Sequence, residues 1–308
     1  MTQTDNDSGP VRTGPPETFD TIAGLRRHLD DHRARGAQIG FVPTMGYLHD
    51  GHASLMRAAA SDNDVVVASV FVNPLQFGAN EDLSSYPRDL ARDTQVAAAN
   101  GVTVLFAPTV EEMYPNGAVL TSVSVAELST RWDGAARPTH FAGMATVVAK
   151  LFNIAGRCHA YFGEKDYQQL MIIKRMVADL SIPVTVVGCP IVREADGLAM
   201  SSRNIHLSPP EREAATVLRR ALDEAQRLIA DGERSPAIID RAMGAIVANE
   251  PRAELDYAAT IDASTLAPAE TADHDSHLII AARVGATRLI DNAAGTVSGH
   301  RPQPMGTP

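Results

Sequence analysis

The sequence contains few cysteines and no long apolar run, and both absences narrow what the protein can be. Cys158 and Cys189 are its two cysteines in 308 residues, so we expect no disulfide framework and a reducing compartment, the cytoplasm. We predict that both are small, buried apolar residues. No uninterrupted apolar run approaches the length of a membrane span. Residues 1–16 are polar and lack the apolar segment of a signal peptide.

The chain also lacks an excess of positive charge. Its formal net charge is -10, and no basic stripe offsets this value, which argues against a nucleic-acid partner. Any site for an anion must therefore be local. The 44% hydrophobic and 21% charged fractions are typical of a globular protein, and the length allows a large core divided between two domains.

Helical and strand patterns alternate along the first two thirds of the chain, which predicts a Rossmann-like, doubly wound parallel sheet of the α/β class. Beyond Arg193 the pattern changes to helices followed by three strands, which predicts a smaller C-terminal α+β domain. The predicted helices cover residues 21–35, 52–61, 86–100, 143–155, 167–180, 211–231 and 236–249. The predicted strands cover residues 38–42, 65–71, 102–107, 158–162, 183–187, 255–261, 277–284 and 287–290. The predicted domains are a disordered tail 1–18, a Rossmann-like domain 19–190, an α+β lid domain 191–296 and a flexible tail 297–308.

The two most familiar phosphate loops, G-x-x-x-x-G-K-[ST] and G-x-G-x-x-G after the first strand, are missing. Instead, His49 and His52 occur where a predicted strand gives way to a predicted helix, in the segment F-V-P-T-M-G-Y-L-H-D-G-H. The first N–H groups of a helix lack intrahelical partners and favour anions. Histidine adds a side-chain donor whose charge can follow a reaction. The segment therefore predicts a phosphate site. A zinc site is the weaker alternative, because no cysteine or third histidine lies close in sequence.

Three further polar segments follow predicted strands or open the second domain, where α/β folds place ligands. The segment 73–77 offers amides that suit hydroxyls or a carboxylate, with a capped turn as the alternative interpretation. Segment 163–169 offers a lysine for phosphate and an aspartate for ribose, and a solvated first helical turn is its alternative. Segment 200–204, M-S-S-R-N, offers hydroxyls and a guanidinium for a leaving pyrophosphate, with a polar linker as the alternative.

These motifs, in this order, resemble the pantothenate synthetase family of pantoate and β-alanine ligases. That family belongs to the nucleotidyltransferases that share an H-x-G-H loop with class I aminoacyl-tRNA synthetases. The resemblance covers residues 19–292 through P-T-M-G-Y-L-H-D-G-H, F-V-N-P-L-Q-F, R-P-T-H-F, G-E-K-D-Y-Q-Q-L and A-M-S-S-R-N. It implies that ATP and pantoate form pantoyl adenylate and pyrophosphate, after which β-alanine displaces AMP to give pantothenate. It also implies Mg²⁺ bridging the phosphates, no metal ligand among the site residues, no nucleic-acid or membrane partner, and a homodimer.

The resemblance assigns roles to individual residues. It implies that His52 donates a proton and that His49 lies beside the phosphates. The implied catalytic residues are His49, His52, Lys165, Ser201, Ser202 and Arg203. The implied nucleotide-binding residues are Met45, Gly46, Tyr47, Leu48, His49, Asp50, Gly51, His52, Gly163, Glu164, Lys165, Asp166, Val192, Met200, Ser201, Ser202 and Arg203. The implied substrate-binding residues are Asn73, Gln76, Arg137, His140 and Gln169.

The chain departs from the family pattern at three positions, and none of these removes a reacting group. Tyr47 stands where the family usually has a small residue, Asp50 replaces a glutamate, and Thr139 replaces a glycine. Tyr47 could narrow the mouth of the pocket. A cytidylyltransferase, a class I tRNA synthetase and a nucleotide-binding regulator without catalysis are the alternatives. The short, acidic chain argues against a tRNA synthetase.

Overall fold

The structure is a computed structural model that describes residues 14–78, 83, 86–117 and 119–295. These residues fall into two compact units. One lies within Met1–Val192 and Met200–Ser202, and the other lies within Arg193–Ala199 and Arg203–Pro308. The predicted C-terminal tail and most of the predicted N-terminal tail lie outside the described residues.

The first unit is built on a six-stranded parallel sheet, which confirms the predicted fold class. Its strand order is β1-β4-β3-β2-β5-β6, so the order reverses direction between the adjacent strands β2 and β5. The strands are β1 Glu17–Phe19, β2 Ile39–Thr44, β3 Val65–Val70, β4 Val104–Phe106, β5 Cys158–Gly163 and β6 Val184–Cys189. The helices are α1 Ile22–Ala34, α2 Asp50–Asp62, α3 Leu90–Ala99, α4 Val110–Met113, α5 Asp133–Ala136, α6 His140–Ala155 and α7 Tyr167–Asp179. Short 3-10 helices cover Pro74–Gln76, Glu164–Asp166 and Ser202–His206.

Apolar side chains cover both faces of this sheet. Phe41 and Val67 pack in a cluster with residues of α1, α6 and α7. Val42 and Val66, which point to the opposite face, pack in a second cluster with residues of α2 and α3. This arrangement explains why the strands are continuous apolar runs, since successive side chains of one strand enter different cores.

Several element boundaries differ from the predicted ones for local reasons. The predicted tail 1–18 is wrong at residues 17 and 18, because β1 pairs in parallel with β4 there. The helix predicted from residue 86 begins at Leu90, after the carboxylate of Asp89 accepts the N–H of Arg92 at 3.0 Å and caps its first turn. The helix predicted from residue 143 begins three residues earlier, at His140.

The second unit contains a three-stranded antiparallel sheet, which confirms the predicted smaller α+β domain. Its strands are ordered β7-β8-β9. Leu218, Leu222 and Ile229 form the buried side of its second helix and pack in one cluster with Leu278 and Ile280 of the central strand. The helix predicted over 211–231 is divided into two helices. The elements are α8 Pro209–Ala214, α9 Val217–Ala230, α10 Pro236–Ala248, β7 Ala253–Asp262, β8 Ser276–Val284 and β9 Thr287–Ala294.

Both cysteines are free and buried, as predicted. Burial raises the pKa of the Cys158 thiol to about 12 and that of the Cys189 thiol to about 11. Neither thiol is therefore a reactive thiolate near neutral pH. Among the described helices, none combines the length and apolar composition needed to cross a membrane.

Gly143 lets α6 lie directly against the loop that follows β3. A methyl group at this position would overlap the carbonyl of Leu75 and would lie 2.7 Å from the backbone nitrogen of Gln76. Because these are backbone atoms, they cannot turn aside as a side chain would. The close contact fixes the position of the Pro74–Gln76 turn.

We expect Gly143→Ala to destabilise the first unit by about 2–3 kcal/mol, because the added methyl group forces two backbone segments apart. Calorimetric unfolding would measure this change. Gly244→Ala is the matched control in a helix of the second unit, where a methyl group would meet only a side-chain atom of Leu255 at 3.3 Å. That change should stay within about 1 kcal/mol of the wild type. Equal effects of the two substitutions would contradict the close contact.

Candidate active site

The candidate site lies at the carboxyl ends of β2 and β5, where the strand order reverses. Ligands of open α/β sheets bind at this kind of position. The chain leaves β2 at Thr44, forms a loop, and enters α2 at Asp50. The chain leaves the neighbouring strand β5 at Gly163 and forms the Glu164–Asp166 turn. Since β2 and β5 pair in parallel, these two segments lie at the same edge of the sheet.

The two histidines of the H-D-G-H segment cap the start of α2 through a reciprocal pair of hydrogen bonds. Nδ1 of His49 accepts the N–H of Gly51 at 3.1 Å, and Nδ1 of His52 accepts the N–H of His49 at 3.3 Å. The two ring centroids lie 4.0 Å apart. Because each Nδ1 is an acceptor, the proton of each neutral ring must be on Nε2. Both rings therefore present an Nε2–H donor.

The surroundings keep both histidines uncharged near neutral pH. Burial, followed by the neighbouring His49, lowers the pKa of His52 to about 3. Burial, followed by the positive charge of Lys165, also lowers the pKa of His49. The resemblance implied that His52 is a proton donor. Near neutral pH, the neutral ring of His52 offers its Nε2–H as a hydrogen-bond donor.

A buried carboxylate holds the loop that leads to the histidines. Asp93 of α3 is 1% exposed, and its two oxygens accept the N–H groups of Tyr47 at 2.8 Å and Leu48 at 2.7 Å. Gly46 and Tyr47 both have positive φ, 85° and 52°. Such a pair turns successive N–H groups toward one anion. A methyl group on Gly46 would also lie 2.8 Å from the Asp93 carboxylate, so glycine is required there.

Sequence analysis missed Asp93, because an acidic residue in the first turn of a helix ordinarily faces solvent. The same interaction acts on the backbone of Tyr47. Its backbone adopts the left-handed conformation that is costly for a bulky residue, and the Asp93 carboxylate stabilises that conformation. The guanidinium of Arg92 lies 5.2 Å from the centre of the Tyr47 ring.

Asn73 is buried and has used its amide within the protein. Its nitrogen donates to the Gln76 side-chain oxygen at 3.1 Å and to the carbonyl of Gly143 at 3.2 Å. Its oxygen accepts the N–H of Leu75 at 3.3 Å and the hydroxyl of Tyr114 at 2.8 Å. An amide has two donor hydrogens and two acceptor lone pairs, so all four are occupied. These bonds form the capped turn that was the alternative interpretation of segment 73–77, and one of them positions the side chain of Gln76.

Gln76 connects three parts of the site. Its side-chain nitrogen lies 3.0 Å from the sulfur of Met45, in the loop before α2. The backbone carbonyl of Gln76 accepts a hydrogen bond from Nδ1 of His140 at 2.9 Å. The proton of a neutral His140 is therefore on Nδ1, and its Nε2 is an acceptor. Arg137 lies one turn before His140, whose N–H bonds to the Arg137 carbonyl. The tautomer of His140 is thus opposite to that of His49 and His52.

The adjacent residues Gln168 and Gln169 have different structural situations. Gln168 is buried and donates to the carbonyls of Leu128 at 2.7 Å and Arg131 at 2.8 Å, while it accepts the N–H of Asp133 at 3.1 Å. It anchors the segment that leads to α5, a role that sequence analysis missed. Gln169 is half-buried and makes no side-chain hydrogen bond to the described residues. Its amide is therefore available to a ligand.

Lys165 supplies the positive charge nearest to the histidines. Its Nζ lies 3.5 Å from a carboxylate oxygen of Asp166, and its side chain is 17% exposed. The charge of Lys165 acts on the pKa of both His49 and His52, which places it beside the start of α2. The helix N-terminus, two Nε2–H groups and one ammonium together form a site that favours an anion.

The M-S-S-R-N segment is divided between the two units. Met200–Ser202 belongs to the first unit, where the N–H of Met200 donates to the carbonyl of Val192 at 2.9 Å. A methyl group on Gly51 would lie 3.9 Å from Cβ of Met200, so this segment reaches the start of α2. Arg203 belongs to the second unit.

Comparison with known proteins bears on the family and the fold of this chain. The family model for pantoate-beta-alanine ligase matches residues 17–294. The pantothenate synthetase of Rhizobium meliloti (strain 1021) is 55% identical over 276 residues, which cover 89% of this chain and 94% of that protein. A crystal structure of pantothenate synthetase from Thermus thermophilus is 49% identical with a TM-score of 0.86, covering 91% of this chain and 99% of that one. A crystal structure of the Francisella tularensis pantoate-beta-alanine ligase, complexed with beta-gamma ATP and beta-alanine, is 34% identical with a TM-score of 0.75, covering 91% and 98%.

We expect His52 to remain neutral in the folded protein between about pH 5 and pH 8. Its pKa is about 3 in the fold but near 6.5 in an unfolded chain. Nitrogen-15 NMR should therefore show a protonated Nε2 and an unprotonated Nδ1 that do not change over this range. The urea-unfolded protein is the control, and its histidine signals should titrate near about pH 6.5. A folded-state titration near that pH would contradict the assignment.

The same difference in pKa makes stability depend on pH. Because the unfolded chain takes up this proton first, His52 lowers the free energy of unfolding as the pH falls from about 6.5 toward about 3. His52→Gln keeps an acceptor without a titrating group. This variant should lose less stability than the wild type over that window in urea unfolding.

Proposed function

This chain belongs to the pantoate-beta-alanine ligase family, and from that premise we propose that the site described above forms pantoyl adenylate from ATP and pantoate. The chain is an ATP-dependent ligase that condenses pantoate with β-alanine to give pantothenate. AMP and pyrophosphate are the other products of the proposed route. Because the chain belongs to this family, the ligase function is favoured over the cytidylyltransferase, tRNA synthetase and regulator alternatives.

The neutral histidine pair at the start of α2 is the observation that best supports this proposal. In adenylation, a carboxylate oxygen of pantoate bonds to the α-phosphorus of ATP while the bond from that phosphorus to pyrophosphate breaks. Negative charge then develops on the phosphate oxygens. The Nε2–H groups of His49 and His52 can donate to those oxygens in a fixed geometry, since their tautomers are held by the backbone. Donors that need no rearrangement are the effective way to stabilise such charge.

Lys165, Ser201, Ser202 and Arg203 are proposed to hold the leaving pyrophosphate. Lys165 is a compact charge beside the histidines, and a guanidinium can bind two phosphate oxygens at once. The backbone of Gly163 and of Val192, with the carboxylate of Asp166, is proposed to hold the nucleoside. The turn Glu164–Asp166 brings Lys165 and Asp166 to the same end of β5.

Magnesium is proposed to arrive on ATP and not to occupy a cage of protein ligands. Among the described residues, three side chains suited to a metal come together only at Asp273, His274 and Asp275, which are exposed and lie in the second unit. Mg²⁺ commonly binds through substrate phosphates and keeps several waters, so it needs no dedicated cage of protein ligands. When bound, the ion would neutralise phosphate charge.

Gln76 and Gln169 are proposed to orient pantoate. Both are uncharged, so they can bind hydroxyls and a carboxylate without reducing the nucleophilicity of the attacking oxygen. In the second step, the amine nitrogen of β-alanine bonds to the acyl carbon, the bond from that carbon to AMP breaks, and the amine proton passes to solvent. His140 and Arg137 are proposed to contact this second substrate or pantoate.

Exchange of labelled pyrophosphate into ATP tests the proposed intermediate. We expect exchange that requires pantoate and Mg²⁺ but not β-alanine, because adenylation is complete before the amine is needed. Net AMP formation should require β-alanine. Exchange without pantoate, or no exchange with every reactant present, would overturn the proposal.

The two adjacent glutamines give the same assay a matched pair of variants. Gln169→Ala should lower kcat/KM for pantoate by about 5- to 150-fold, which corresponds to the roughly 1–3 kcal/mol of one buried polar contact. Its ATP affinity by calorimetry should change little. Gln168→Ala should lower the unfolding temperature, since it removes three internal hydrogen bonds. Loss of ATP binding in Gln169→Ala with normal pantoate kinetics would mean that the roles in the pocket are reversed.

A homodimer and a cytoplasmic location complete the proposal. Light scattering of the purified protein tests the homodimer, and the mass of a single chain would contradict it. The two free, buried thiols support a reducing compartment, which cell fractionation would test.

A further inference from the structure

The ends of the segment that carries Ser201, Ser202 and Arg203 are joined by one half-buried side chain, that of Asn204. The amide nitrogen of Asn204 donates to the carbonyl of Ala199 at 3.1 Å and to a carboxylate oxygen of Glu194 at 3.0 Å. Residues 200–203 lie between the two bonded positions. Ala199 and Asn204 belong to the same unit, so this bond closes the base of a four-residue loop.

The partners of Asn204 are themselves held rigidly. The other oxygen of Glu194 accepts from Arg212 at 2.6 Å, and Arg212 also binds Asp196 through two bonds of 2.7 and 3.0 Å. Ala199 forms a β-bridge with Arg193. Asn204 is therefore attached to a fixed frame, and not to a flexible turn.

Arg193, at the start of segment 193–199, is also held in place by several hydrogen bonds. Its guanidinium makes two bonds to the buried carboxylate of Asp291, at 2.7 and 3.0 Å, a paired geometry that is stronger than a single contact. The same guanidinium donates to the carbonyl of Gly197 at 3.0 Å. Both strands of the bridged segment 193–199 are thus tied to one unit.

The side-chain oxygen of Asn204 is buried and has no hydrogen-bond partner in the part of the chain that the structure describes. Buried polar atoms without partners are rare and unfavourable. This oxygen therefore has lone pairs that can accept a further hydrogen bond.

We propose that Asn204 is a positioning residue for the loop 200–203, which it holds in the arrangement that binds the leaving pyrophosphate. The inference rests on the proposed function. In the proposed role, Asn204 contacts no reacting atom and acts through Ser201, Ser202 and Arg203. Holding the loop in one arrangement raises the fraction of bound ATP that can react, because the ordering is complete before the bond breaks.

Asn204→Ala tests this proposal in pyrophosphate exchange at saturating ATP and pantoate. We expect kcat to fall by about 10- to 100-fold, the range for losing two such contacts, while KM for ATP changes by less than about threefold. The split is expected because the nucleoside is held elsewhere. Asn100→Ala is the matched control, since Asn100 also bonds one backbone carbonyl, that of Val96, and one charged side chain, that of Arg57.

Asn204→Asp is a second variant that preserves the side-chain shape. Its carboxylate cannot donate a hydrogen bond to Glu194, and the two negative charges repel each other. The other charged groups near Glu194 are Arg212 and Asp196. We expect a loss at pH 8 at least equal to that of Asn204→Ala. The ratio of its kcat to that of the wild type should rise toward pH 5.5, because a protonated carboxyl can again donate to Glu194.

The outcomes separate the possible roles. An unchanged kcat in Asn204→Ala, or equal losses in Asn204→Ala and Asn100→Ala, would show that the bonds serve stability alone and would overturn the proposal. A change confined to KM would also overturn it, because the loop would then contribute to ground-state binding. Absence of exchange in the wild type would overturn the proposed function and this inference with it, whereas active wild type with active Asn204→Ala overturns only the inference.

Discussion

The carboxylate of Asp93 determines the shape of the loop on which the candidate site depends. It accepts hydrogen bonds from the backbone N–H groups of Tyr47 and Leu48. These bonds stabilise a backbone conformation that would otherwise be unfavourable. In this conformation of the loop, His49 is placed as the N-cap of α2, and His52 lies in the first turn of the helix. The tautomers of both rings follow from the hydrogen bonds at the start of α2, and burial favours their neutral form. A buried carboxylate thus helps to position two residues that are proposed to contact ATP.

The balance of charge at the site follows from the same arrangement. The chain is acidic as a whole, and yet the start of α2 favours anions because a helix terminus, two neutral donors and Lys165 lie together. Only one of these carries a full charge. A site built mainly from dipoles can stabilise charge that appears during a reaction without binding the ground state too strongly. Burial of the histidines is consistent with this use, since it removes the charged form.

The sequence predicted features that depend on local pattern and missed those that depend on distant packing. The alternation of helices and strands was sufficient for the parallel sheet, and the H-D-G-H segment for the start of α2. Asp93 and Gln168 could not be recognised, because their partners lie 45 and 40 residues away in sequence and no periodicity encodes such contacts. Asn73 was predicted to bind substrate because an amide suits hydroxyls and carboxylates. Its four internal bonds became visible only when Tyr114 and Gly143 were placed beside it.

The assignment of residues to the two compact units has a consequence for how this protein can evolve. The chain passes from one unit to the other after Val192, returns at Met200, and leaves again after Ser202. A single genetic exchange at Val192 would therefore separate Met200–Ser202 from the unit to which they belong. If an unrelated domain replaced the second unit, its sequence would have to include three residues that pack with the first unit as Met200–Ser202 do. A recombinant that keeps both units whole therefore needs more than one crossover in this segment, although each unit has a hydrophobic core of its own.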